Sequence, residues 1–262
     1  NVLIHYTATE GGTVTRGQEE LAPATGTAQG STAQPKGGYE FVNWTDKDNK
    51  EVSREETFVP AKTGTVWVNG TTYTANFTER TDLHYEVHYF YGSDGENYQE
   101  DTDNQVISDK GKFNDLIQYQ SPVSRQFEGK TYTLEKIEKT GDGTVTTTPE
   151  KNVVNVYYLL DTKGPDGTPD GIPDEYQITI TYVTGANGTV EGTTTEFHTV
   201  KTFDRNADGT INEATLTDTP ANPVAAVTAE ANPGYKFVNW TSDGVEYNDV
   251  SDIQALEVSQ NK

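Results

Sequence analysis

An eight-residue segment occurs twice in this chain, and the duplication constrains the fold more than any other feature of the sequence. Gly38–Thr45 reads Gly-Tyr-Glu-Phe-Val-Asn-Trp-Thr, and Gly234–Thr241 differs from it only by Lys in place of Glu40. Chance is a poor explanation for so long a match within one chain. The duplication indicates a copied module, and local patterns must be interpreted within this internal repeat.

The copied module extends upstream of this segment. Tyr6 and Tyr182 each end an alternating apolar segment, and each is followed six residues later by Gly-Thr-Val, at Gly12 and Gly188. Alternation of this kind predicts half-buried β-strands. From the glycine to the repeated Tyr there are 27 residues in the first copy and 47 in the second. The second copy therefore carries an insertion at about residues 195–225, which we expect to lie on the surface.

The repeat divides the 262 residues into three predicted modules of about 80 residues each. Tyr, Thr and Val dominate the uncharged residues, and these residue types favour strands. We therefore expect a mainly β fold with minor helix (an α+β, β-grasp-like arrangement) in an elongated tandem array. The predicted boundaries are residues 1–80, 81–160 and 176–262 for the modules and 161–175 for an acidic Pro/Gly linker.

The first module contains a strong local pattern near its end. Asn69-Gly70 separates Val66–Val68 from Thr72–Phe77, and Asn-Gly between two apolar segments predicts a two-residue β-hairpin. We expect the side chains of Tyr73, Ala75 and Phe77 to point inward, because alternate residues of a strand share one face. No segment after Trp240 matches this strand, so we expect the third module to be incomplete at its C-terminal end. Either the fragment stops before the last strand, or that strand is replaced by another.

Other local patterns are weaker. Tyr39–Thr45 predicts a strand with Phe41 and Trp44 on opposite faces, since they are three residues apart. Helical spacing of apolar residues predicts a short helix at Phe113–Tyr119, and a single helical turn is compatible with Gln18–Leu21. In the middle module, an early strand and an apolar closing strand are expected to pair.

The chain is strongly acidic, with a formal net charge of −22 and an isoelectric point near 4.4. That charge opposes binding to nucleic acid or to anionic membranes. No apolar run of the length needed for insertion into a membrane is present. The chain has no Cys, which fits a cytosolic protein or a Gram-positive surface protein, and no Met, so we expect a fragment of a longer polypeptide. We expect it to be a monomer.

The linker contains the first candidate metal site. Asp166, Asp170 and Asp174 recur at intervals of four residues with small turn-forming residues between them. Carboxylate and backbone carbonyl oxygens are the ligands that Ca²⁺ prefers. These three residues therefore predict a structural calcium site, and the alternative is a solvated acidic hinge.

A second candidate calcium site lies in the insertion of the third module. Asp204, Asn206 and Asp208 match the early positions of an EF-hand-type loop, but Thr215 occupies the position where a bidentate Glu belongs. The alternative is a hairpin tip, in which Asp, Asn and Gly serve as turn formers.

Residues that would indicate catalysis or a bound cofactor are not found, and we predict no catalytic or cofactor-binding residue. His84 and His88 lie on an alternating segment, where strand geometry places them about 13 Å apart, too far to share a metal. We therefore expect them to be exposed polar residues of a strand. Trp44 and Trp240 have two alternative roles, as core residues of a small β module or as platforms on which a glycan stacks.

Several motifs resemble known families of bacterial surface modules. The pattern Gly-Gly-Thr-Val, then Gly-Tyr-x-Phe-Val-x-Trp, then Thr-Tyr-Thr-Ala-Asn-Phe resembles the divergent internalin B-repeat modules of Gram-positive surface proteins. The middle segments that begin at Tyr85, Gly129 and Asn152 resemble mucin-binding-protein-type modules. The linker, with Asp-Gly-Ile-Pro-Asp from Asp170, resembles the spacers between such modules.

The resemblance implies a location and a class of partner. It implies a non-catalytic extracellular segment of a cell-wall-anchored surface protein that adheres to a host glycan such as mucin or to an extracellular protein. Two alternatives stay open at the level of sequence. One is a purely structural stalk that projects another domain, and the other is an accessory region of a secreted enzyme.

Overall fold

A computed structural model describes all residues from Asn1 to Lys262. The protein is mainly β, as predicted, and its one α-helix is five residues long. The chain forms two compact units. The first contains residues 1–86, 106–118 and 139–154, and the second contains residues 87–105, 119–138 and 155–262.

The N-terminal copy of the repeat forms two sheets. The larger one has five strands in the order β3-β1-β8-β5-β6, and the smaller one has three in the order β2-β4-β7. The strands are β1 (Val2–Ala8), β2 (Gly12–Val14), β3 (Gln18–Leu21), β4 (Ser31–Pro35), β5 (Tyr39–Thr45), β6 (Glu51–Ser53), β7 (Thr57–Phe58) and β8 (Thr71–Glu79).

Strand β8 occupies the centre of the larger sheet. It pairs parallel with β1, with Ile4 opposite Thr71, and antiparallel with β5, with Phe41 opposite Phe77. Ala75 is buried and Tyr73 and Phe77 pack against the core, which confirms the predicted inward face. A strand in this position has both of its backbone edges hydrogen-bonded.

Trp44 anchors the core of this copy. Its side chain is 0% exposed, its ring lies edge-on to Tyr6 at 6.1 Å, and its Nε1–H donates to the carbonyl of Glu56 at 3.1 Å. Phe41 packs against the same core, so the predicted placement of Phe41 and Trp44 on opposite faces is wrong. A β-bulge between Phe41 and Asn43 inserts one unpaired residue and rotates the two rings onto one side.

The predicted hairpin at Asn69-Gly70 is also wrong. The turn exists, with Gly70 at φ +75°, but Val66–Val68 does not pair with β8. Instead the Trp67 amide donates to Pro23 at 2.9 Å and its indole donates to Gly26 at 2.9 Å. The turn thus delivers β8 to β1, where its apolar face reaches the core.

The middle segment forms a six-stranded sheet in the order β10-β9-β14-β13-β12, with β11 also paired to β9. The closing strand β14 pairs with the early strand β9, as predicted. A 3₁₀ turn covers Pro149–Lys151. The strands are β9 (Leu83–Gly92), β10 (Tyr98–Glu100), β11 (Val106–Gly111), β12 (Ser124–Phe127), β13 (Lys130–Lys139) and β14 (Val153–Leu160).

Neither predicted helical segment is helical. Gln18–Leu21 is strand β3, which pairs antiparallel with β1. In Phe113–Tyr119, the amide of Ile117 donates to Gly143 at 2.9 Å, and Leu116 forms a β-bridge with Thr144. Partners distant in sequence therefore satisfy backbone groups that a helix would have satisfied internally.

The C-terminal copy forms small two-stranded sheets that pair β15 with β17, β16 with β20, β18 with β19 and β21 with β22. Its 3₁₀ turns are Asp174–Tyr176 and Glu213–Thr215. The elements are β15 (Gln177–Thr181), β16 (Gly188–Gly192), β17 (Thr195–Thr199), β18 (Lys201–Thr202), β19 (Thr217–Asp218), β20 (Val227–Ala231), β21 (Trp240–Ser242), β22 (Val245–Tyr247) and α1 (Val250–Gln254).

The second occurrence of the repeated segment does not form the strand that its sequence predicts. Only Trp240 and Thr241 of this segment belong to a strand, and Tyr235 is 60% exposed. In the first copy the same segment pairs along its length with β8. The second copy has no strand equivalent to β8, so the backbone before Trp240 lacks the neighbour that would hold it extended. Trp240 packs against a core built on Ile178 and Ile180, whereas Trp44 belongs to a different core.

Both copies bury a tyrosine–carboxylate pair that sequence analysis did not identify. Tyr6 donates to Glu19, and Tyr182 donates to Glu196 at 2.9 Å. Burial raises the pKa of both tyrosine hydroxyls. Each glutamate also accepts two backbone N–H groups from a crossing loop, at Gln29 and Gly30 in the first copy and at Val224 and Ala225 in the second.

We expect Trp44→Ala to destabilise the N-terminal copy by about 3–5 kcal/mol, because it removes a fully buried aromatic ring and leaves a cavity. Hydrogen exchange of β8 amides, such as that of Ala75, measures this change locally. Tyr235→Ala, at an exposed position, is the matched control and should change stability by no more than about 0.5 kcal/mol. Unchanged β8 exchange in Trp44→Ala would contradict the assignment of this core.

Candidate functional site

A row of aromatic side chains covers one face of the middle sheet. Alternation along β9 buries Val87, Tyr89 and Tyr91 on one side and leaves His88 and Phe90 half-buried on the other. Neighbouring strands add Tyr98 from β10, Tyr157 from β14 and Lys136 from β13. We call His88, Phe90, Tyr98, Tyr157 and Lys136 the aromatic face.

The rings of the aromatic face are in direct contact. Phe90 and Tyr157 stack with centroids 4.9 Å apart, and Tyr98 meets Tyr157 edge-on at 5.0 Å. His88 stacks on Phe90 at 6.3 Å, and the Lys136 ammonium lies 4.8 Å from the centroid of Tyr157. Packing of this kind fixes the ring orientations, so a flat ligand would meet a preformed surface.

Polar groups border these rings. The Tyr98 hydroxyl donates to Glu135 Oε2 at 2.5 Å, Lys136 pairs with Glu138 at 2.9 Å, and His88 Nδ1 lies 2.5 Å from Glu100. The hydrogen bond to Glu138 raises the pKa of Lys136, and burial raises the pKa of Glu135 despite the Tyr98 hydroxyl. Hydrophobic rings edged by donors and acceptors can bind a ligand that has both apolar and hydroxyl groups.

The aromatic face could not be predicted from the sequence. Val87, Tyr89 and Tyr91 alternate in the sequence and mark the buried side of β9. One signal of the aromatic face was present in the sequence. The positions between these residues include His88 and Phe90, so both faces of one strand carry rings. No sequence pattern shows that Tyr157, 67 residues further on, stacks on Phe90.

The three linker aspartates accept hydrogen bonds from separate protein groups. Asp166 accepts from Thr168, and Asp170 accepts from the Ile172 amide at 3.0 Å. Asp174 is buried. It accepts the Thr162 amide at 2.7 Å, the hydroxyl of the same residue at 2.6 Å and the Lys163 amide at 2.8 Å. The linker therefore has a defined conformation, which carboxylates hold through backbone N–H groups.

Asp161 is a further linker carboxylate, and sequence analysis did not assign it a role. It is 1% exposed and accepts the amides of Asp170 at 3.0 Å and Gly171 at 2.9 Å. Burial raises its pKa, although the two hydrogen bonds act in the opposite direction. No group of three or more His, Cys, Asp or Glu side chains is arranged to hold a metal ion. Calcium binding in the linker stays a prediction.

Asp204, Asn206 and Asp208 lie in a turn between β18 and β19. Asn206 donates to the Thr210 hydroxyl at 3.0 Å, and Asp208 accepts from the same residue. The adjoining Arg205 forms a β-bridge with Ile211 that closes the turn. These contacts describe a hairpin tip stabilised by Asp and Asn side chains. Calcium binding at this second loop also stays a prediction.

Arg205 makes this turn a docking element. Its guanidinium donates to the Leu134 carbonyl at 2.7 Å, the Gly209 carbonyl at 2.6 Å, the Thr133 hydroxyl at 2.7 Å and the Gly171 carbonyl at 3.0 Å. Burial lowers its pKa, and the charge of Asp161 opposes that effect. The insertion is thereby fixed to strand β13 and to the linker, because one planar cation satisfies four oxygens at once.

His84 lies between two carboxylates on the surface of β9. Its Nε2 is 2.9 Å from Glu86, and its Nδ1 is 2.5 Å from Asp109. The hydrogen bond that His84 donates to Glu86, and then the one that it donates to Asp109, raise the pKa of His84 above its usual value. His84 and His88 have different carboxylate partners.

The mainly β fold, in which one module occurs twice, defines a protein built from repeat domains. The family model of the divergent InlB B-repeat domain matches residues 2–81 and again residues 198–258. Because these ranges cover more than half of the chain, the chain belongs to this family. It is a family of repeat domains of surface proteins and not an enzyme family. No curated protein and no solved structure gives a significant match.

None of the helices in the structure combines the length and the apolar character that crossing a bilayer requires.

We expect the pKa of His84, measured by NMR titration of its ring protons, to lie above 6.5. Folding then favours the protonated form, so the contribution of His84 to the free energy of unfolding is present below pH 6.5 and is lost as the pH rises through the raised pKa. Asp109→Asn should lower the pKa of His84 and weaken this dependence. A value at or below the usual one would show that neither carboxylate acts on the ring.

Proposed function

We propose that this chain is a non-catalytic extracellular segment of a cell-wall-anchored surface protein of a Gram-positive bacterium, and that it adheres to a host glycan of the mucin type. Membership in a repeat family of surface proteins supports the location. The aromatic face supports the ligand class, and it is the observation that carries the proposal. It lies on the segment whose sequence resembles mucin-binding modules.

The chemistry of the aromatic face suits a sugar. One face of a pyranose ring presents C–H groups that pack on aromatic rings, and the stacked pair Phe90 and Tyr157 offers such a surface. The hydroxyl groups of the sugar need donors and acceptors nearby. Lys136 and Glu138 stand beside Tyr157, and Glu138 is half-exposed. Half-buried rings lose little conformational freedom when they bind, because their orientations are already set.

Two other functions compete with adhesion. A structural stalk would use the repeats only to project another domain, and the hydrogen bonds of Arg205 and of the linker carboxylates favour a fixed geometry that a stalk also needs. An accessory region of a secreted enzyme is the third candidate. An extracellular protein as the adhesion partner would use the same aromatic face.

We expect the protein to bind members of a mucin-type glycan panel, tested with calcium present and after chelation. Tyr157→Ala and Phe90→Ala should each weaken binding at least about tenfold, which corresponds to about 1.4 kcal/mol, because each removes a ring on which the sugar stacks. Tyr235→Ala is the matched control, since it removes an exposed ring outside the aromatic face.

The outcomes separate the candidates. Binding that all three variants retain would place the contact elsewhere on the protein. Binding to no glycan of the panel would favour the stalk. Circular dichroism of each variant must match the parent protein, so that a loss of binding is not a loss of folding.

We also propose a structural calcium ion in the linker, with Asp166, Asp170 and Asp174 as ligands, which would stiffen the segment by adding oxygen contacts. Calorimetric titration with Ca²⁺ should give saturable heat that Asp166→Asn abolishes and Asp208→Asn retains. Asp166 is the residue to change, because the hydrogen bonds that its side chain accepts come from one nearby residue, Thr168. No heat on titration would rule the site out, and loss in Asp208→Asn instead would move it to the insertion.

A further inference from the structure

The C-terminal copy contains an open cleft of about 680 Å³ beside strand β15. Ile180, Tyr182, Phe237 and Trp240 are among the residues that line it, and the rings of Tyr182 and Trp240 meet edge-on at 6.0 Å. Phe237 is 41% exposed and Val238 is 71% exposed. A cleft of this size, walled by side chains that belong to a core, is an incomplete interior rather than an ordinary surface.

In the N-terminal copy the same place is filled by β8. Tyr73 of β8 stacks on Tyr6 at 6.2 Å, and Phe77 meets Phe41 edge-on at 5.9 Å. The residues at the positions of Tyr6 and Phe41 in the second copy are Tyr182 and Phe237, and both line the cleft.

A glycine of the repeat supports this correspondence between β8 and the cleft. A Cβ on Gly12 would lie 2.2 Å from the ring of Phe77, so this position must lack a side chain for the ring to pack there. Gly188 is the equivalent residue of the second copy, and it lines the cleft.

The hydrogen bonds at Asn261 and Lys262, beside the cleft, resemble those made by the two residues that precede β8. In the first copy, Asn69 Oδ1 accepts the Leu3 amide at 2.8 Å, and the Gly70 amide donates to the Leu3 carbonyl at 2.8 Å. In the second copy, Asn261 Oδ1 accepts the Thr179 amide at 2.8 Å. The Lys262 amide then donates to the Thr179 carbonyl at 3.1 Å.

The direction of the chain at this point is also the same. The Thr181 amide donates to the Lys262 carbonyl at 2.9 Å, and Lys262 donates to the Thr179 carbonyl. In a parallel pair, a residue that hydrogen-bonds to two alternate residues of the neighbouring strand lies opposite the residue between them. Here that residue is Ile180. Strand β8 likewise runs parallel to β1. Lys262 therefore lies where β8 begins in the first copy. Its amide is placed like that of Gly70, and its pairing opposite Ile180 is like that of Thr71, which lies opposite Ile4.

We infer that the cleft is a binding site for one further β-strand, which follows directly on Lys262 and runs parallel to β15. The strand resembles β8, with aromatic and small side chains alternating on its inward face. It hydrogen-bonds to β15 on one edge and to the segment at Tyr235–Asn239 on the other, and that segment then becomes extended like β5. The aromatic side chains of the strand fill the cleft against Tyr182 and Phe237, as those of β8 pack on Tyr6 and Phe41 in the first copy.

The experiment joins a copy of the nine residues Thr71–Glu79 to Lys262 and measures hydrogen exchange. In the first copy the Thr9 amide donates to the Ala75 carbonyl at 2.9 Å, and Gly185 is the equivalent of Thr9. Exchange of the Gly185 amide should slow at least about tenfold relative to the unextended protein, because opening then requires separation of a paired strand. Amides at Tyr235–Asn239 should slow as well.

A matched control carries Ser at the three positions copied from Tyr73, Ala75 and Phe77. It keeps the backbone but loses the inward apolar face, so exchange at Gly185 should stay at the unextended rate. Equal slowing in the control would overturn the requirement for a β8-type strand, and no slowing in either protein would overturn the site itself. Light scattering should give the mass of one copy. A dimer that shows the same protection would overturn the continuous connection and show that the strand enters from a second chain.

Discussion

Pairing of the backbone of β8 on both edges is the interaction on which the repeat depends. Backbone N–H and C=O groups inside a sheet need partners, and β8 pairs with β1 over Thr71–Ala75 and with β5 over Thr74–Glu79 while its side chains complete the core around Trp44. The two copies show what this pairing contributes. With β8 present, Gly38–Thr45 contains a seven-residue strand, and without it the nearly identical Gly234–Thr241 is largely irregular.

Buried polar groups supply the second constraint. Glu19 and Glu196 each tie a tyrosine and two loop amides together, so a loop that differs in length between the copies is fixed at the same point. Burial raises the pKa of Glu196, but its hydrogen bonds outweigh burial and leave the pKa below its ordinary value. Arg205 fixes the position of the insertion in a comparable way, through its own hydrogen bonds. These groups fix geometry because leaving any of them unpaired would be costly.

Much of the fold could be predicted from the sequence, and the candidate site could not. Alternation at Ile178 and Ile180 marked buried strand positions, and Tyr73, Ala75 and Phe77 were placed inward correctly, because a period of two is a local property. The hairpin at Asn69-Gly70 and the helix at Phe113–Tyr119 were wrong, since distant strands took the hydrogen bonds that local partners were expected to make. The aromatic face was missed because its rings come from strands far apart in the chain.

The sequence by itself determined that a β module is present twice, that its alternate apolar residues are buried, and that the chain is acidic and resembles surface-protein repeats. Those properties follow from residue identity and spacing alone. Only the tertiary structure decided which strand lies beside which, whether the repeated segment is extended, and that Phe90 and Tyr157 stack on one face. The physical reason is that a strand has no stable form without a neighbour, and its neighbour is chosen by the whole fold.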